Sequence, residues 1–429
     1  MRPQVQLHSR AVMRSQLHGR VVETRPHSLL KFMIATICVI TAVCAMLTWP
    51  AIDSTDTQTI KVNQVQSESG IAKARNIANE SAVISQPPTP NPSSEPPTEF
   101  GELVKVAKRQ LQSLDVISDR PETKYLFVSM GNKAFAPFYQ SWYCNVKHMA
   151  GVHQRTLIIM SASNDAEDLQ KMCPRINVWG RKRRPTPIGV EEDNLDYNTC
   201  GYWRIVQKRV ASIGALLRAG ITLVLWEPDA VWVQNPLEDD LLNTDEYDII
   251  GFDDGVHVGF GWIRLRAIDS VVHLWGDLET AFEAEIAKAT HKPAHQMCGE
   301  VTGEQNIFTE LLKISGIKHK VLSSQKYVNG KWYDGGRGGD GLQYRGDIKA
   351  QGLPYVVNNN WIVGNIPKIM RAKRWGHWFA EEDGTCGDGV LQEKIAVMLR
   401  SFDLLAPPYG PPQAAECAPD PIQGACQHS

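Results

Sequence analysis

The chain has no marked excess of charge of either sign. Its 45 Lys and Arg stand against 47 Asp and Glu, a formal net charge of −2. That balance argues against a nucleic-acid partner, which selects a basic face. Also missing are the Cys-x-x-Cys knuckles of structural zinc sites, a His-Glu-x-x-His helix and a Gly-x-Ser-x-Gly nucleophile elbow. No internal repeat is visible, which leaves little support for an adhesion ectodomain. Long apolar runs are scarce as well. Phe32 to Trp49 is the one predominantly apolar run free of charged residues over about the length of a bilayer crossing.

That run sets the expected topology. Arg2, Arg10, Arg14, Arg20, Arg25 and Lys31 precede it against one acid, Glu23. Basic flanks stay cytosolic. Residues 1–31 therefore read as a cytoplasmic tail, 32–49 as a transmembrane signal-anchor, and the remainder as lumenal. The alternative, a cleaved signal peptide, fits less well with so long a basic lead. Cysteine usage agrees with an oxidising lumen. Beyond the apolar run stand Cys144, Cys173, Cys200, Cys298, Cys386, Cys417 and Cys426. This number is odd, so at least one is free or intermolecular, and the pairing stays open. Asn79-Glu-Ser81 is a glycosylation sequon.

Residues 50–118 read as a disordered stem, dense in Pro and Ser around Gln86 to Thr98. From 119 to 404 strand and helix signals alternate. Strands are expected at Tyr125–Met130, Thr156–Met160, Ile221–Trp226, Tyr247–Phe252, Gly259–Leu265, Lys320–Leu322 and Tyr355–Val357. Helices are expected at Phe138–Met149, Ala166–Met172, Asp269–Thr290 and Glu304–Ile314. The clearest helix is Tyr202–Ala219, where Val206, Val210, Ile213 and Leu217 share one face before Gly220. Such alternation predicts an α/β fold, a mixed but mostly parallel sheet with helices on both faces. Residues 405–429 form a Pro-rich tail.

The chemistry concentrates after the strand Ile221–Trp226, in Glu227-Pro228-Asp229. Ligands of open α/β sheets bind at the carboxyl ends of strands. Two neighbouring carboxylates repel unless a cation lies between them. A hard divalent cation with oxygen ligands and phosphates suits such a pair. The alternative is a solvated acidic turn. It is less favoured here, because apolar Val231-Trp232-Val233 follows and charge inside an apolar run needs a partner.

The run LVLWEPDAVWVQNPL resembles the Asp-x-Asp segment of the nucleotide-diphospho-sugar transferases of glycosyltransferase family 77. A second block is similar to that family's C-terminal motif. It runs Val356-Val357-Asn358-Asn359-Asn360-Trp361-Ile362-Val363-Gly364, followed by Lys368, Lys373 and Gly376-His377-Trp378-Phe379. Fainter echoes between them are Ser129-Met130-Gly131-Asn132, Tyr202 with Lys208, Val258-Gly259-Phe260 and Glu304-Gln305-Asn306. The resemblance implies a GT-A, Rossmann-like domain and a retaining transferase in the Golgi lumen. It implies a UDP-sugar donor, Mn²⁺ (or Mg²⁺), and a glycan or glycoprotein acceptor, with a homodimer allowed. Glu227, Asp229 and Asn358 take the metal positions. Asn132, Lys208, Asn360, Gly364 and Lys368 fall on the donor side, and Glu304 and Gln305 at the reacting sugar. Asp253, Asp254 and His257 are placed towards the acceptor. Two departures stand out: Glu227 replaces the first Asp, and Asn358 replaces a His. They leave a degenerate, glycan-binding or chaperone domain as the rival reading.

Other features have simpler expectations. Asp253-Asp254 is read first as a turn with Gly255. Trp232 is read as core, and Trp361 and Trp378 as core rather than as sugar-stacking platforms. The stretch Gly335-Gly336-Arg337-Gly338-Gly339 reads as a flexible loop.

Overall fold

The computed structural model describes residues 100–117, 124–180, 196–255, 258–289, 291–334, 341–387 and 389–409. The expected tail, signal-anchor and stem up to residue 99 lie outside these residues. So do Asn79, His257, Cys417, Cys426 and the stretch 335–339. Among the described residues no helix is long and apolar enough to cross a membrane.

The main sheet contains β1 (Leu126–Gly131), β2 (Thr156–Met160), β3 (Asn177–Gly180), β4 (Leu223–Trp226), β6 (Ile249–Asp253), β7 (Val258–Leu265) and β8 (His319–Leu322). Their order is β3-β2-β1-β4-β7-β6-β8. All neighbours pair in parallel except β7, which runs antiparallel to both β4 and β6. Hence the carboxyl ends of β1, β4 and β6 and the start of β7 share one edge. Asn132, Glu227 and Asp254 follow β1, β4 and β6 directly at that edge.

Strand alternation divides the core into two layers. Phe127, Val224 and Trp226 face one layer, with Trp142, Trp232 and Trp262. Leu126, Val128, Leu223 and Leu225 face the other. Burial on both faces explains why β1, β2 and β4 read as unbroken apolar runs.

The helices that matter most here are α1 (Gly101–Ile117), α2 (Ala136–Asn145), α3 (Ser163–Met172), α4 (Cys200–Arg218), α5 (Asp269–Ala287), α6 (Glu304–Ser315), α7 (Gly341–Ala350), α8 (Asn365–Arg374) and α9 (Leu391–Leu404). Helix α4 starts where Thr199 accepts a hydrogen bond from the Tyr202 N–H. It stops at Gly220, whose φ of +79° suits the left-handed cap. Gly220 donates to the Leu217 carbonyl and Ile221 to that of Leu216, which completes the cap. Helix α1 corrects the sequence reading. Placed there at the end of the stem, it instead packs on the domain, with Leu103 and Ala107 fully buried.

A second, three-stranded sheet had no counterpart in the expected elements except β10. It comprises β5 (Val231–Trp232), β10 (Val356–Val357) and β9 (Tyr327–Val328), in the order β5-β10-β9. The side-chain amide of Asn145 extends it at β5. It accepts from the Trp232 N–H (2.8 Å) and donates to the Trp232 carbonyl (2.9 Å). Disulfides join Cys144 to Cys386 and Cys200 to Cys298, while Cys173 is free and buried.

Candidate active site

Strand β4 ends at Trp226, and Glu227 to Ala230 form a turn closed by Ala230 N–H to the Glu227 carbonyl (3.2 Å). The chain then re-enters the core as β5. Strand β10 pairs antiparallel with β5, Val357 opposite Val231. The next residue, Asn358, is thereby delivered beside the acidic turn, although 131 positions separate it from Glu227. Its Nδ2 donates to Glu227 Oε2 at 3.1 Å. Gly261 on β7 makes room for it, since a Cβ there would lie 1.9 Å from Asn358 Nδ2.

Each acid has a cationic neighbour. Lys368 on α8 lies 2.6 Å from Asp229 Oδ2, with the Asp229 side chain only 2 % exposed. Arg209 on α4 stands 3.7 Å from Glu227 Oε1 and 2.5 Å from Glu304 Oε1. Burial, and next the Asp229 charge, push the Glu227 carboxyl above its ordinary range, against Arg209, Lys368 and the Asn358 hydrogen bond. Burial disfavours the charged Arg209 guanidinium, but Glu304, Tyr202 and Glu227 outweigh it and hold that group more firmly protonated.

The neighbouring residue Gln305 is anchored too. Its Oε1 accepts from the Phe260 N–H at 2.7 Å, next to Gly261, whose carbonyl receives the Glu227 N–H. Glu304 therefore joins the acidic pair through Arg209, while Gln305 is held on the adjoining backbone of β7. Asn359 is locked by Arg371, which donates to its side-chain oxygen (2.7 Å) and backbone carbonyl (3.0 Å). Gly364, with φ +91°, starts α8. Asn365 then donates to the Ala134 carbonyl at 3.0 Å. This ties the start of α8 to the turn that Asn132 caps through its Oδ1 and the Ala134 N–H. A small cavity lined by Pro228, Asp229, Ala230, Asn359 and His377 lies against the acidic turn.

Other candidates are placed differently. Lys208 precedes Arg209 on α4, about 100° around the helix, and on this helix it is Arg209 that pairs with Glu227 and Glu304. Asn360 is used at both ends of its amide: Nδ2 donates to Asp254 Oδ1 (3.0 Å) and Oδ1 accepts from Gly330 N–H (2.5 Å). Asp253 makes the expected turn by accepting from Gly255 N–H at 2.7 Å. Asp254 instead faces the Asn360-Trp361 segment. Trp232 is fully buried and Trp378 partly so. Trp361 corrects its expectation: it is 42 % exposed, not core. Sequence reasoning also passed over Arg209, although it lies three positions after Val206 and four before Ile213 on the buried side of α4. Nothing in the sequence signalled the Arg371–Asn359 lock.

The residues can be tested against a divalent cation. Among the described residues no group of three or more His, Cys, Asp or Glu converges to hold a metal. The available donors are oxygen atoms of two carboxylates and one amide, which is hard-cation chemistry. Asp229 Oδ1 and Asn358 Oδ1 are both buried without a hydrogen-bond partner. Buried acceptors without donors are uncommon, and two that converge beside a carboxylate suit an ion or an ordered water. Three acids, Glu227, Asp229 and Glu304, also outnumber Arg209 and Lys368 here. The residues therefore fit a bound cation.

No curated protein matches the chain. Among solved structures it is similar to the glycosyltransferase GlyE of Streptococcus pneumoniae TIGR4, with 12 % identity, TM-score 0.36, and coverage of 68 % of this chain and 66 % of that one. The chain thus spans just under two thirds of GlyE. It is similar to the bifunctional glycosyltransferase WbbM, with 10 % identity, TM-score 0.37, and coverage of 66 % and 52 %. It is similar to the galactosyltransferase LgtC, solved with donor and acceptor sugar analogs, with 11 % identity, TM-score 0.37, and coverage of 63 % and 95 %. Likenesses this distant say nothing of the activity of this chain. The family model of the nucleotide-diphospho-sugar transferases matches residues 162–371, a span that includes Arg209, Glu227, Asp229, Glu304, Asn358 and Lys368. The match covers just under half of the chain and contains the whole acidic cluster with its two cations.

Proposed function

We propose that this domain is a retaining glycosyltransferase of the family 77 type, moving a sugar from a UDP-sugar to a glycan or glycoprotein. One observation carries the reading: Asp229 Oδ1 and Asn358 Oδ1 are buried without partners beside Glu227, at the carboxyl edge of the sheet. When bound there by Glu227, Asp229 and Asn358, Mn²⁺ (or Mg²⁺) supplies positive charge against the donor diphosphate.

The chain's own groups do the rest. Lys368 and the first turn of α8 offer positive charge and N–H groups where the leaving diphosphate gains negative charge. Arg209 holds Glu227 and Glu304 in place. Gln305 is fixed through its Oε1 by the Phe260 N–H, and the remaining acceptor capacity of that oxygen is what would stabilise an oxocarbenium-like sugar. Asn132 and Gly364 border the half of the edge formed by β1, where base and ribose belong. The disulfides fit an oxidising compartment, which supports a Golgi membrane protein with a lumenal domain.

The Lys368–Asp229 pair favours a second reading, a domain that binds UDP or glycan without turnover, because an internal ammonium already neutralises one acid. The test is UDP release by the purified full chain from a panel of UDP-sugars, with and without Mn²⁺, beside Asp229→Ala. Cation-dependent release lost in the variant supports the transferase. UDP binding without release supports the second reading, and no UDP binding at all defeats both.

A further inference from the structure

Trp361 departs from the rest of its segment in three ways. Its backbone takes φ +67°, a region that bulky side chains rarely enter. Such strain persists only where the surroundings impose it. Here they do. The preceding residue, Asn360, is held through its carbonyl by Arg371 (2.6 Å) and through its side chain by Gly330 and Asp254. Gly330 must also be glycine, since a Cβ there would lie 2.0 Å from the Asn360 carbonyl oxygen.

The second departure is exposure. The indole remains 42 % exposed even with the Lys331 ammonium 4.9 Å from its ring centre. Its edge is fixed, because Nε1 donates to Asp254 Oδ1 at 3.1 Å. The result is an oriented aromatic surface with a carboxylate at its edge and an ammonium over one face, which leaves the opposite face for a ligand. A carbohydrate ring matches this chemistry: its C–H face lies on an aromatic ring and its hydroxyls bond to polar groups around it.

The third is location. Trp361 lies three residues past Asn358 and against the turn that follows β6. The nucleotide side of the edge is at β1. Strands β4 and β7 intervene, so the β1 and β6 ends are separated by about 14 Å at ordinary strand spacing. A ring stacked on Trp361 is therefore on the far side of the acids from the nucleotide base.

We propose that Trp361 is the stacking platform of the acceptor subsite, binding a sugar ring of the acceptor glycan on the indole face opposite Lys331, with Asp254 at its edge. This rests on the transferase reading for the word acceptor, but its test does not. Saturation-transfer NMR is run on the full chain with methyl β-D-galactopyranoside, methyl β-D-xylopyranoside and methyl α-L-arabinofuranoside. Trp361→Phe keeps a flat ring. Trp361→Asn removes the ring yet tolerates the left-handed backbone, and a thermal melt checks its folding. At least one glycoside should receive saturation from the wild type and from Trp361→Phe, with its affinity at least about tenfold weaker in Trp361→Asn. UDP affinity, measured by calorimetry, should stay within about twofold in both variants. The proposal is overturned if no glycoside binds the wild type, or if binding survives Trp361→Asn. A loss of UDP affinity instead would assign Trp361 to the donor. Absence of UDP binding in the wild type, with glycoside binding intact, defeats the transferase reading but leaves the platform.

Discussion

Removing the Lys368 ammonium is the most informative perturbation. Its Nζ lies 2.6 Å from Asp229 Oδ2, on a side chain that is 2 % exposed and whose other oxygen has no partner. Asp229 would then be a buried carboxylate with neither of its oxygens compensated. Breaking one side of a buried pair typically costs about 3–5 kcal/mol, because the surviving charge stays desolvated. For a domain of this size that corresponds to a fall in Tm of roughly 6–15 °C. Lys368→Ala should show it in thermal melts at pH 7 without added metal. Adding Mn²⁺ should return more stability to Lys368→Ala than to the wild type, because a cation takes the place of the ammonium on Asp229. Lys368→Ala combined with Asp229→Asn should recover much of the loss, since the buried charge is gone. A Tm change under about 2 °C in the single variant, or no differential response to Mn²⁺, would refute the reasoning.

Other outcomes follow from the same geometry. Gly261→Ala brings a Cβ to 1.9 Å from Asn358 Nδ2, so it should displace Asn358 and lower UDP-sugar turnover at least about tenfold, with turnover as the assay. Arg209→Leu leaves Glu227 and Glu304 without the guanidinium they share; stability should fall by about 3 kcal/mol or more in urea melts. His377 is buried and neutral, its pKa lowered to about 3 by burial and Arg371 from a normal 6.5. Its contribution to stability is complete above pH 6.5 and declines as pH falls towards 3, by about 3 kcal/mol at pH 4, where only the unfolded imidazole is charged. Replacing His377 should flatten the stability curve across that window. The Cys200–Cys298 disulfide fastens the start of α4 just ahead of α6, the two helices that carry Arg209 and Glu304. Cys200→Ser with Cys298→Ser should therefore lower turnover as well as stability, whereas Cys173→Ser should spare turnover.

Much of the main sheet could be read from sequence, because β1, β2 and β4 are buried on both faces and so appear as apolar runs between turn signals. Helix α4 was readable from its periodicity and Gly220. The small sheet was mostly not: β5 and β9 have two residues each, too few for any periodicity. Yet this sheet is what brings Asn358 to Glu227. Helix α1 was hidden by the Pro-rich stretch before it. At the site, Glu227 and Asp229 are legible as an acidic pair ending an apolar strand, whereas Asn358 and Lys368 come only from motif resemblance. Arg209 was open to helical geometry, and Lys208 drew attention away from it. The exposure of Trp361 comes from a positive φ that depends on Gly330, Asn360 and Arg371, contacts between distant parts of the chain that no local pattern records.

The central claim is that Glu227, Asp229 and Asn358 bind a diphosphate through a divalent cation. Titration calorimetry of UDP into the full chain, with Mn²⁺ and then with chelator, tests it most directly. The account predicts binding that requires the cation and that is lost in Asp229→Asn. Binding of equal affinity with chelator present, or retained unchanged in Asp229→Asn, would contradict it.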